Sequence, residues 1–272
     1  GKTYTLEKNI GQGGFGRVDL YKAEDGARIV LKTPIVSDDS RSLESFLLEA
    51  RNEVRSHRVA QVPAPDVDGV HPRVIGLRGA FRGPDGLVRI ALEHAPGGNL
   101  YNLNQTLQAA IDQGVVSPEA ATLVRILLFR DMLEGMRHVQ EARGMMHLDF
   151  KSPNVFIGGD GSAKVGDFGT SRQGDTLHLD KRPVANPLWQ PPELIAGARE
   201  SQRVLREGGS GGFQTSGKTD TWSLGVTAYE IFSGGQLPFD DPKGFMSKVE
   251  DKLLAFGGDE NHRVRALGTD QE

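Results

Sequence analysis

The sequence predicts an α+β fold with two lobes, in which a small five-stranded antiparallel sheet with one helix precedes a larger and mostly helical lobe. Two patterns lead to this prediction. Apolar residues alternate in short runs over residues 4–93, as in strands, and recur at helical intervals from residue 99 onward. A loop at residues 95–98 separates the two patterns, and 272 residues are enough to divide a core. We place the lobes at residues 1–94 and 95–272.

Five strands and one helix are predicted for the N-terminal lobe. The strand residues alternate or are bulky and β-branched, and Gly-Pro-Asp-Gly at 83–86 supplies the turn between the last two strands. The predicted strands are residues 4–10, 18–22, 28–32, 73–82 and 87–93. Apolar residues at helical spacing predict one helix over residues 41–60.

The C-terminal lobe is predicted to begin with a helix over residues 99–112. A long helix follows, with Ser117 as its N-cap and Pro118 at its first position, and a third helix covers residues 219–232. We expect the long helix to bury one apolar face formed by Leu123, Ile126, Leu127, Leu133 and Met136. The glycine-rich composition of residues 207–217 predicts a flexible insert.

The composition argues against several classes of function. The net charge is −4, with 32 basic and 36 acidic residues spread along the chain, so we expect no nucleic-acid partner. The longest apolar runs are far shorter than a membrane span, so no membrane partner is expected either. The absence of cysteine removes disulfides and thiolate chemistry and suits a cytoplasmic location.

A glycine-rich turn between the first two predicted strands is a candidate for phosphate binding. It reads Gly11-Gln12-Gly13-Gly14-Phe15-Gly16-Arg17-Val18. Glycines let the backbone approach a ligand closely, so this turn would cover a triphosphate while Phe15 shields it from water. Alone, such a turn is as readily an ordinary hairpin bend. Lys32, sixteen residues after Gly16 at the end of an apolar strand, favours phosphate binding.

The segment His147-Leu148-Asp149-Phe150-Lys151-Ser152-Pro153-Asn154 carries the strongest chemical signal. Asp149 supplies a carboxylate that accepts the proton of an attacking hydroxyl, and Lys151 places a positive charge beside the transferred phosphoryl group. Asn154, together with Asp167 of the following Asp-Phe-Gly, supplies oxygen ligands for Mg²⁺. Together these groups would move a phosphoryl group from ATP to a hydroxyl.

In the order and spacing of these motifs, residues 4–240 resemble the eukaryotic-type protein kinase family. The resemblance implies a protein kinase fold and transfer of the γ-phosphoryl group of Mg·ATP to a protein substrate. It also implies that Asp149 is the base and that Lys32, oriented by a helix glutamate, pairs with the phosphates. The run from Lys151 to Asn154 is similar to the tyrosine-kinase-like branch of serine/threonine kinases, so serine and threonine acceptors are expected.

The resemblance further implies which residues surround the nucleotide. They are Gly11, Gly13, Gly14, Phe15, Gly16, Val18, Val30, Lys32, Glu53, Leu92, Glu93, Ala95, Asn99 and Phe156. Leu92 is expected at the adenine pocket, the backbone of Glu93 and Ala95 at the hinge, and Asn99 near the ribose.

Two glutamates, Glu53 and Glu49, lie one helical turn apart and both fit the partner of Lys32. Glu53 fits better by the residues that follow it. Leu148 departs from the family pattern, because an arginine usually stands there and binds a phosphate on the activation segment. We therefore expect activity that does not require phosphorylation of that segment.

Two other functions compete with an active protein kinase. A pseudokinase, which is a nucleotide-binding or scaffold module without turnover, fits Leu148 but is opposed by the intact lysine, aspartates and asparagine of the motifs. A small-molecule phosphotransferase would share the His-x-Asp and Asn spacing, and is opposed by Lys151 and by the segment 189–193. The sequence identifies neither the protein substrate nor a regulatory partner.

Overall fold

The structure is a computed structural model. It describes residues 2–13, 16–35, 43–63, 69–174, 176–179, 186–239 and 246–258. Within these residues the predicted α+β fold is confirmed, since a five-stranded antiparallel sheet with one helix comes first and helices dominate the remainder.

The secondary structure follows the predicted order and adds short strands and two helices. The strands are β1 (Tyr4–Gly13), β2 (Gly16–Ala23), β3 (Arg28–Thr33), β4 (Leu77–Arg82), β5 (Val88–Glu93), β6 (Met145–Met146), β7 (Val155–Ile157), β8 (Ala163–Val165), β9 (Arg172–Gln173), β10 (Thr176–Leu179) and β11 (Phe213–Ser216). The helices are α1 (Leu43–Gln61), α2 (Leu100–Asp112), α3 (Pro118–Arg137), α4 (Pro192–Arg206), α5 (Lys218–Phe232) and α6 (Met246–Gly258).

The five-stranded sheet has the order β1-β2-β3-β5-β4, with α1 packed against β4 and β5. Leu20, Val30 and Ile90 are buried on one face of the sheet. In the β2–β3 register Val18 lies opposite Lys32, and Leu20 lies opposite Val30. Because side chains alternate along a strand, Lys32 shares the face of these apolar residues, beside the glycine-rich turn.

The fourth strand begins at Leu77 rather than at residue 73. The residues before it pair with β8 instead, because Ile75 N donates to Val165 O (2.9 Å) and Val165 N donates to Arg73 O (2.8 Å). This pairing joins the sheet to the helical part close to Asp167.

The main core of the helical part includes Leu100, Leu128, Met132, Met136, Phe150, Val155, Val165, Phe168 and Ile231. Side-chain caps begin its first two helices, since Asn99 Oδ1 accepts from Asn102 N (2.9 Å) and Ser117 Oγ accepts from Ala120 N (3.2 Å). Across the described ranges, none of the helices has the length and apolar character needed to cross a membrane.

The predicted buried face of α3 is wrong except at Met136. The other four positions are between 43% and 63% exposed: Leu123, Ile126, Leu127 and Leu133. The face that is buried comprises Ala121, Arg125, Leu128, Asp131, Met132, Gly135 and Met136. Two of its members are charged but have partners, since Arg125 donates to Gln108 (3.0 Å) and Asp131 pairs with Arg73 (3.0 Å). Because these inward positions are polar, the spacing of apolar residues does not identify the buried side of α3.

The structure also differs from the flexible insert predicted at residues 207–217. The end of this segment forms β11, which pairs antiparallel with β10 so that Phe213 lies opposite Leu179. Phe213 is buried and packs against Leu194 and Ala198 of α4. A glycine-rich composition indicates chain freedom, but it carries no information about a partner strand elsewhere in the sequence.

Candidate active site

Lys32 joins two acidic side chains between the sheet and the helical part. Its Nζ lies 2.8 Å from Glu53 Oε1 and 3.0 Å from Asp167 Oδ1. The three groups come from β3, from α1 and from the segment after β8. Glu53 is buried, whereas Glu49, one turn earlier on α1, is exposed. Of the two candidate glutamates, Glu53 is therefore the one whose carboxylate contacts Lys32.

The charges of this cluster determine its protonation. Burial alone would raise the pKa of Asp167, but Lys32 outweighs burial and the pKa lies below its ordinary value. Burial would lower the pKa of Lys32, whereas Asp167 and Glu53 together raise it. Lys32 and Asp167 are thus both charged near neutral pH, and a charged carboxylate is what a cation ligand requires.

Asp149 lies in a second polar cluster. Lys151 Nζ contacts both carboxylate oxygens of Asp149 at 2.8 Å. Asn154 Nδ2 donates to Asp149 O at 2.8 Å and to Asp149 Oδ2 at 3.1 Å. Burial raises the pKa of Asp149, and Lys151 offsets only part of this effect. The result is an aspartate that is more basic than usual and held in one orientation.

The two clusters are neighbours. Gly166, which directly precedes Asp167, donates its backbone N–H to Asn154 O at 3.0 Å. The charges also interact across the gap, since Asp167 raises the pKa of Asp149 and Lys151 lowers the pKa of Asp167. The structure therefore brings together the five side chains of the predicted catalytic and metal-binding motifs.

The loop that carries Asp149 is held by Asp220 of α5. The buried carboxylate of Asp220 accepts the backbone N–H groups of His147 (2.7 Å) and Leu148 (2.8 Å). Leu148 has a φ of 64°, a left-handed conformation that costs a residue other than glycine roughly 1–3 kcal/mol. Because Asp220 satisfies two buried donors at this point, it holds the strained turn and fixes the position of the next residue, Asp149.

Three rings link α1 to the same loop. The centroid of Phe168 lies 5.0 Å from that of His57 and 5.1 Å from that of His147. Burial lowers the pKa of His57 to about 4, so the ring is neutral near pH 7, and its Nε2 hydrogen-bonds Ile75 O. Phe168 therefore connects α1, the helix that presents Glu53, to the loop that carries Asp149.

A cavity of about 570 Å³ opens beside Lys32, a size typical of small-molecule sites. Ten of the residues predicted to surround the nucleotide line it: Gly11, Val18, Val30, Lys32, Glu53, Leu92, Glu93, Ala95, Asn99 and Phe156. Asp167 lines it as well. Sequence reasoning missed further lining residues, namely Lys8, Asn9, Ile10, Ile75, His94, Pro96, Gly98 and Asn102.

The remaining predicted positions belong to the glycine-rich turn. Gly13 and Gly16 pair with each other at the ends of β1 and β2, and Gly16 is not among the described residues that line the cavity. Gly16 has a φ of 135°, and a Cβ there would clash with Thr33 O. Glycine at this position is thus required by the close approach of β3. Gly14 and Phe15 lie outside the described residues.

Two predicted nucleotide-binding residues already use their side chains within the fold. Glu93 accepts a hydrogen bond from Gly76 N (2.9 Å) and pairs with Lys164 of β8 (2.5 Å). Asn99 caps α2. Lys164 carried no signal in the sequence, because it is one of many lysines and its partner lies in another part of the chain.

The donor set fits a hard cation held with a phosphate. Asn154 and Asp167 supply oxygen atoms, which Mg²⁺ prefers, and the chain contains no cysteine. Among the described residues no group of three or more His, Asp or Glu side chains could hold a metal ion alone. Mg²⁺ ordinarily binds through one or two protein ligands together with substrate phosphates and water, so these residues fit Mg·ATP.

Comparison with known families agrees with this geometry. The family described as "Protein kinase domain" matches residues 4–262. A match over this extent, together with the observed fold and the juxtaposed motifs, shows that the chain belongs to the protein kinase domain family.

Several curated proteins are similar to this chain. It is 26% identical over 270 residues to the probable serine/threonine-protein kinase roco5 of Dictyostelium discoideum, covering 93% of this chain and 8% of that protein. It is 28% identical over 232 residues to the serine/threonine-protein kinase Nek5 of Mus musculus, covering 84% and 30%. It is 29% identical over 241 residues to the CBL-interacting protein kinase 4 of Oryza sativa subsp. japonica, covering 88% and 46%. The chain thus spans less than half the length of these relatives.

Proposed function

We propose that this chain is an active protein serine/threonine kinase that transfers the γ-phosphoryl group of Mg·ATP to a protein hydroxyl in the cytoplasm. The observation that carries the proposal is the pair of aspartates, Asp149 and Asp167, whose surroundings shift their pKa in opposite directions within one cleft. Such a separation is typical of sites that need one proton acceptor and one permanently charged ligand. Residues 1–94 and 95–272 would act as the two lobes that enclose the nucleotide.

Each charged group then has one task. Mg·ATP, when bound, supplies the phosphoryl group and an electrophilic phosphorus. Lys32, already held by Glu53, would contact the α- and β-phosphates, while Asp167 and the Oδ1 atom of Asn154 would bind Mg²⁺. The Nδ2 atom of Asn154 donates to Asp149, which leaves its oxygen for the cation.

The acceptor hydroxyl would be oriented by Asp149, which takes its proton. Lys151 lies 2.8 Å from the carboxylate of Asp149 and would place its charge beside the transferred group. Two of the three relatives reported above are named serine/threonine-protein kinases, which supports serine and threonine as acceptors.

We further propose that activity does not depend on phosphorylation of the activation segment. Leu148 is 3% exposed and cannot bind a phosphate. The segment after Asp167 has other supports, since β9 pairs with β6, and β10 pairs with β11. Leu179 of β10 also packs against the cluster that Phe213 of β11 forms with Leu194 and Ala198 of α4. These contacts would order the segment without a phosphate.

The experiment is transfer of radiolabelled phosphate from ATP to a generic basic protein and to small-molecule acceptors, by the wild type beside Asp167→Asn. We expect protein labelling on serine and threonine by the wild type alone. A wild type whose melting temperature rises with Mg·ATP but which labels nothing would identify a pseudokinase, and labelling of small molecules alone would identify a different phosphotransferase.

The phosphorylation claim is tested on phosphatase-treated protein with phosphorylation sites mapped before and after. Unchanged activity is expected. A treated enzyme that is inactive until it is rephosphorylated would refute this part of the proposal and leave the kinase assignment intact.

A further inference from the structure

Asp19 is a buried carboxylate in strand β2, and the proposed catalytic steps do not use it. It is 2% exposed and is not among the described residues that line the cavity beside Lys32. Aspartate is depleted in strands, and a buried charge costs free energy unless it is paired and hydrogen-bonded. The stability of β2 therefore does not account for an aspartate at this position.

Two side chains hold the carboxylate of Asp19. Arg17 Nε lies 2.6 Å from Oδ2, and Asn9 Nδ2 donates to Oδ1 at 2.9 Å. Arg17 is on the same strand, closer to the end of the β1–β2 hairpin, whereas Asn9 lies opposite Asp19 on β1. Asp19 thus connects the two strands at the base of the glycine-rich turn.

Strand β1 contains a bulge at this point. Asn9 pairs with Asp19 and Gly11 pairs with Val18, so Ile10 is an extra residue on β1. A bulge bends its strand and increases the local twist. The geometry of this bulge therefore sets the direction in which the glycine-rich turn leaves the sheet.

The side chain of Asn9 spans the bulge. Besides Asp19, its Nδ2 contacts Val18 O at 3.1 Å and Gly11 O at 3.3 Å, so its two hydrogens are shared among three acceptors. Gly11 and Val18 are the first and last residues of the glycine-rich turn, and both line the cavity. The carboxylate of Asp19 thus holds the Asn9 amide where it reaches both ends of the turn.

We propose that Asp19 is a positioning residue for the nucleotide. It orients the Asn9 amide, which fixes the bulge and so sets how closely the glycine-rich turn covers the phosphates. The inference rests on the nucleotide site of the proposed function. These hydrogen bonds do not involve Leu92 or Ala95, the residues proposed for the adenine end. Their loss should therefore affect the phosphate end of the site most.

The test is isothermal titration calorimetry on the whole 272-residue chain, with Mg²⁺ plus a non-hydrolysable ATP analogue and, separately, with adenosine. The variants are Asn9→Ala, Asp19→Ala, the double variant of both, and Asp19→Asn. Asn retains an oxygen that can accept from Asn9 but loses the charge that pairs with Arg17. The matched control is Asp25→Asn, at an exposed aspartate after β2.

Melting curves show whether each variant is folded. Asn9 is exposed, so Asn9→Ala removes little packing and carries the test even if Asp19→Ala is unstable. Hydrogen exchange of residues 11–13 and 16–18 reports on the turn itself, and it should be faster in Asn9→Ala than in the wild type.

We expect the dissociation constant of the ATP analogue to rise roughly five- to tenfold in Asn9→Ala and in Asp19→Ala, the size of effect that the loss of one or two hydrogen bonds produces. Adenosine should bind within about twofold of the wild type. The double variant should be no weaker than the weaker single variant, because Asp19 acts through Asn9. Asp19→Asn and Asp25→Asn should bind both ligands as the wild type does.

Four outcomes would overturn the proposal. They are unchanged affinity for the ATP analogue in Asn9→Ala, an equal loss for adenosine and the ATP analogue, a double variant whose loss is the product of the two single losses, and an Asp19→Asn variant as weak as Asp19→Ala.

Failure of the nucleotide site itself gives a different result. A wild type that binds neither ligand would refute the proposed function together with this inference. A wild type that binds the ATP analogue, with variants that behave in one of the four ways above, would refute the role of Asp19 alone.

Discussion

Asp149 is buried and Asp167 is half-buried in the same cleft. Each contacts one lysine, yet their pKa values shift in opposite directions. Asp167 lies 3.0 Å from Lys32 and its pKa is lowered, because lysine charge outweighs burial. Asp149 lies 2.8 Å from Lys151 and its pKa is raised, because burial outweighs the lysine. A lysine contact alone therefore does not determine protonation; the balance with burial does, and it separates a cation ligand from a proton acceptor.

Among the variants considered, Asp167→Asn should have the largest effect on activity. We expect kcat/KM to fall by more than about 1,000-fold, because both cation binding and charge stabilisation are lost. The rise in melting temperature with Mg·ATP should disappear as well. Asp112→Asn, on an exposed carboxylate at the end of α2, is the control and should behave as the wild type. Near-normal turnover of Asp167→Asn would show that Asp167 is not a required ligand of Mg²⁺.

Asp149→Asn should separate chemistry from binding. We expect kcat to fall roughly 100- to 1,000-fold, because the proton acceptor is lost, while the thermal shift with Mg·ATP persists. The measurement is steady-state kinetics beside a melting curve with and without nucleotide. If the thermal shift were lost to the same degree as in Asp167→Asn, the two aspartates would not have distinct roles.

Lys151→Met tests the electrostatic part of the comparison. Lys151 lowers the pKa of Asp149, so its removal should raise that pKa and move the acid limb of the pH–rate profile to higher pH. Turnover should fall roughly 10- to 100-fold. Lys151→Arg, which keeps the charge, should leave the limb near its original position. An unmoved limb in Lys151→Met would mean that Asp149 does not govern it.

Glu230 is a further buried acid, which lies on α5 rather than in the segments that carry Asp149 and Asp167. Burial raises its pKa from 4.5 to about 7, and its Oε1 accepts from Ser152 Oγ at 2.8 Å. Because the folded protein holds this proton more firmly than the unfolded chain, stability falls as pH rises from 4.5 to about 7. Glu230→Gln should therefore match the wild type near pH 5 and be more stable near pH 8, by roughly 1–3 kcal/mol.

Urea unfolding of both proteins at the two pH values measures this difference. An equal stability gap at both pH values would show that the charge of Glu230 is not responsible. Normal kinetics in Glu230→Gln would show that a buried carboxylate with a raised pKa does not by itself act as a catalytic base.

The sheet was predictable because local signals agreed with the final contacts. Alternating apolar and polar residues, bounded by glycine turns, predict strands from local sequence alone. Strands β1 to β5 agree with that local pattern. The apolar spacing of α3 was equally regular but indicated the wrong side. There the buried Arg125 donates to Gln108 of α2, and the buried Asp131 pairs with Arg73. The spacing of apolar residues carries no information about these partners on other elements.

The chemistry of the site was predictable for a related reason. Asp149, Lys151 and Asn154 lie within one short loop, so their spacing in the sequence largely determines how their side chains are placed relative to each other. The choice between Glu53 and Glu49 was harder, since both lie on one side of α1 and only the packing of the helix on the sheet distinguishes them. The β10–β11 pair depends wholly on tertiary contacts.

The left-handed backbone at Leu148 has a genetic consequence. The conformation persists because a carboxylate in the first turn of α5, Asp220, accepts the two N–H groups there. Random mutagenesis screened for inactive alleles should therefore recover changes at Asp220 as often as in the cleft, although this side chain is 0% exposed. Folded but inactive products would distinguish such alleles from those that merely prevent accumulation of the protein.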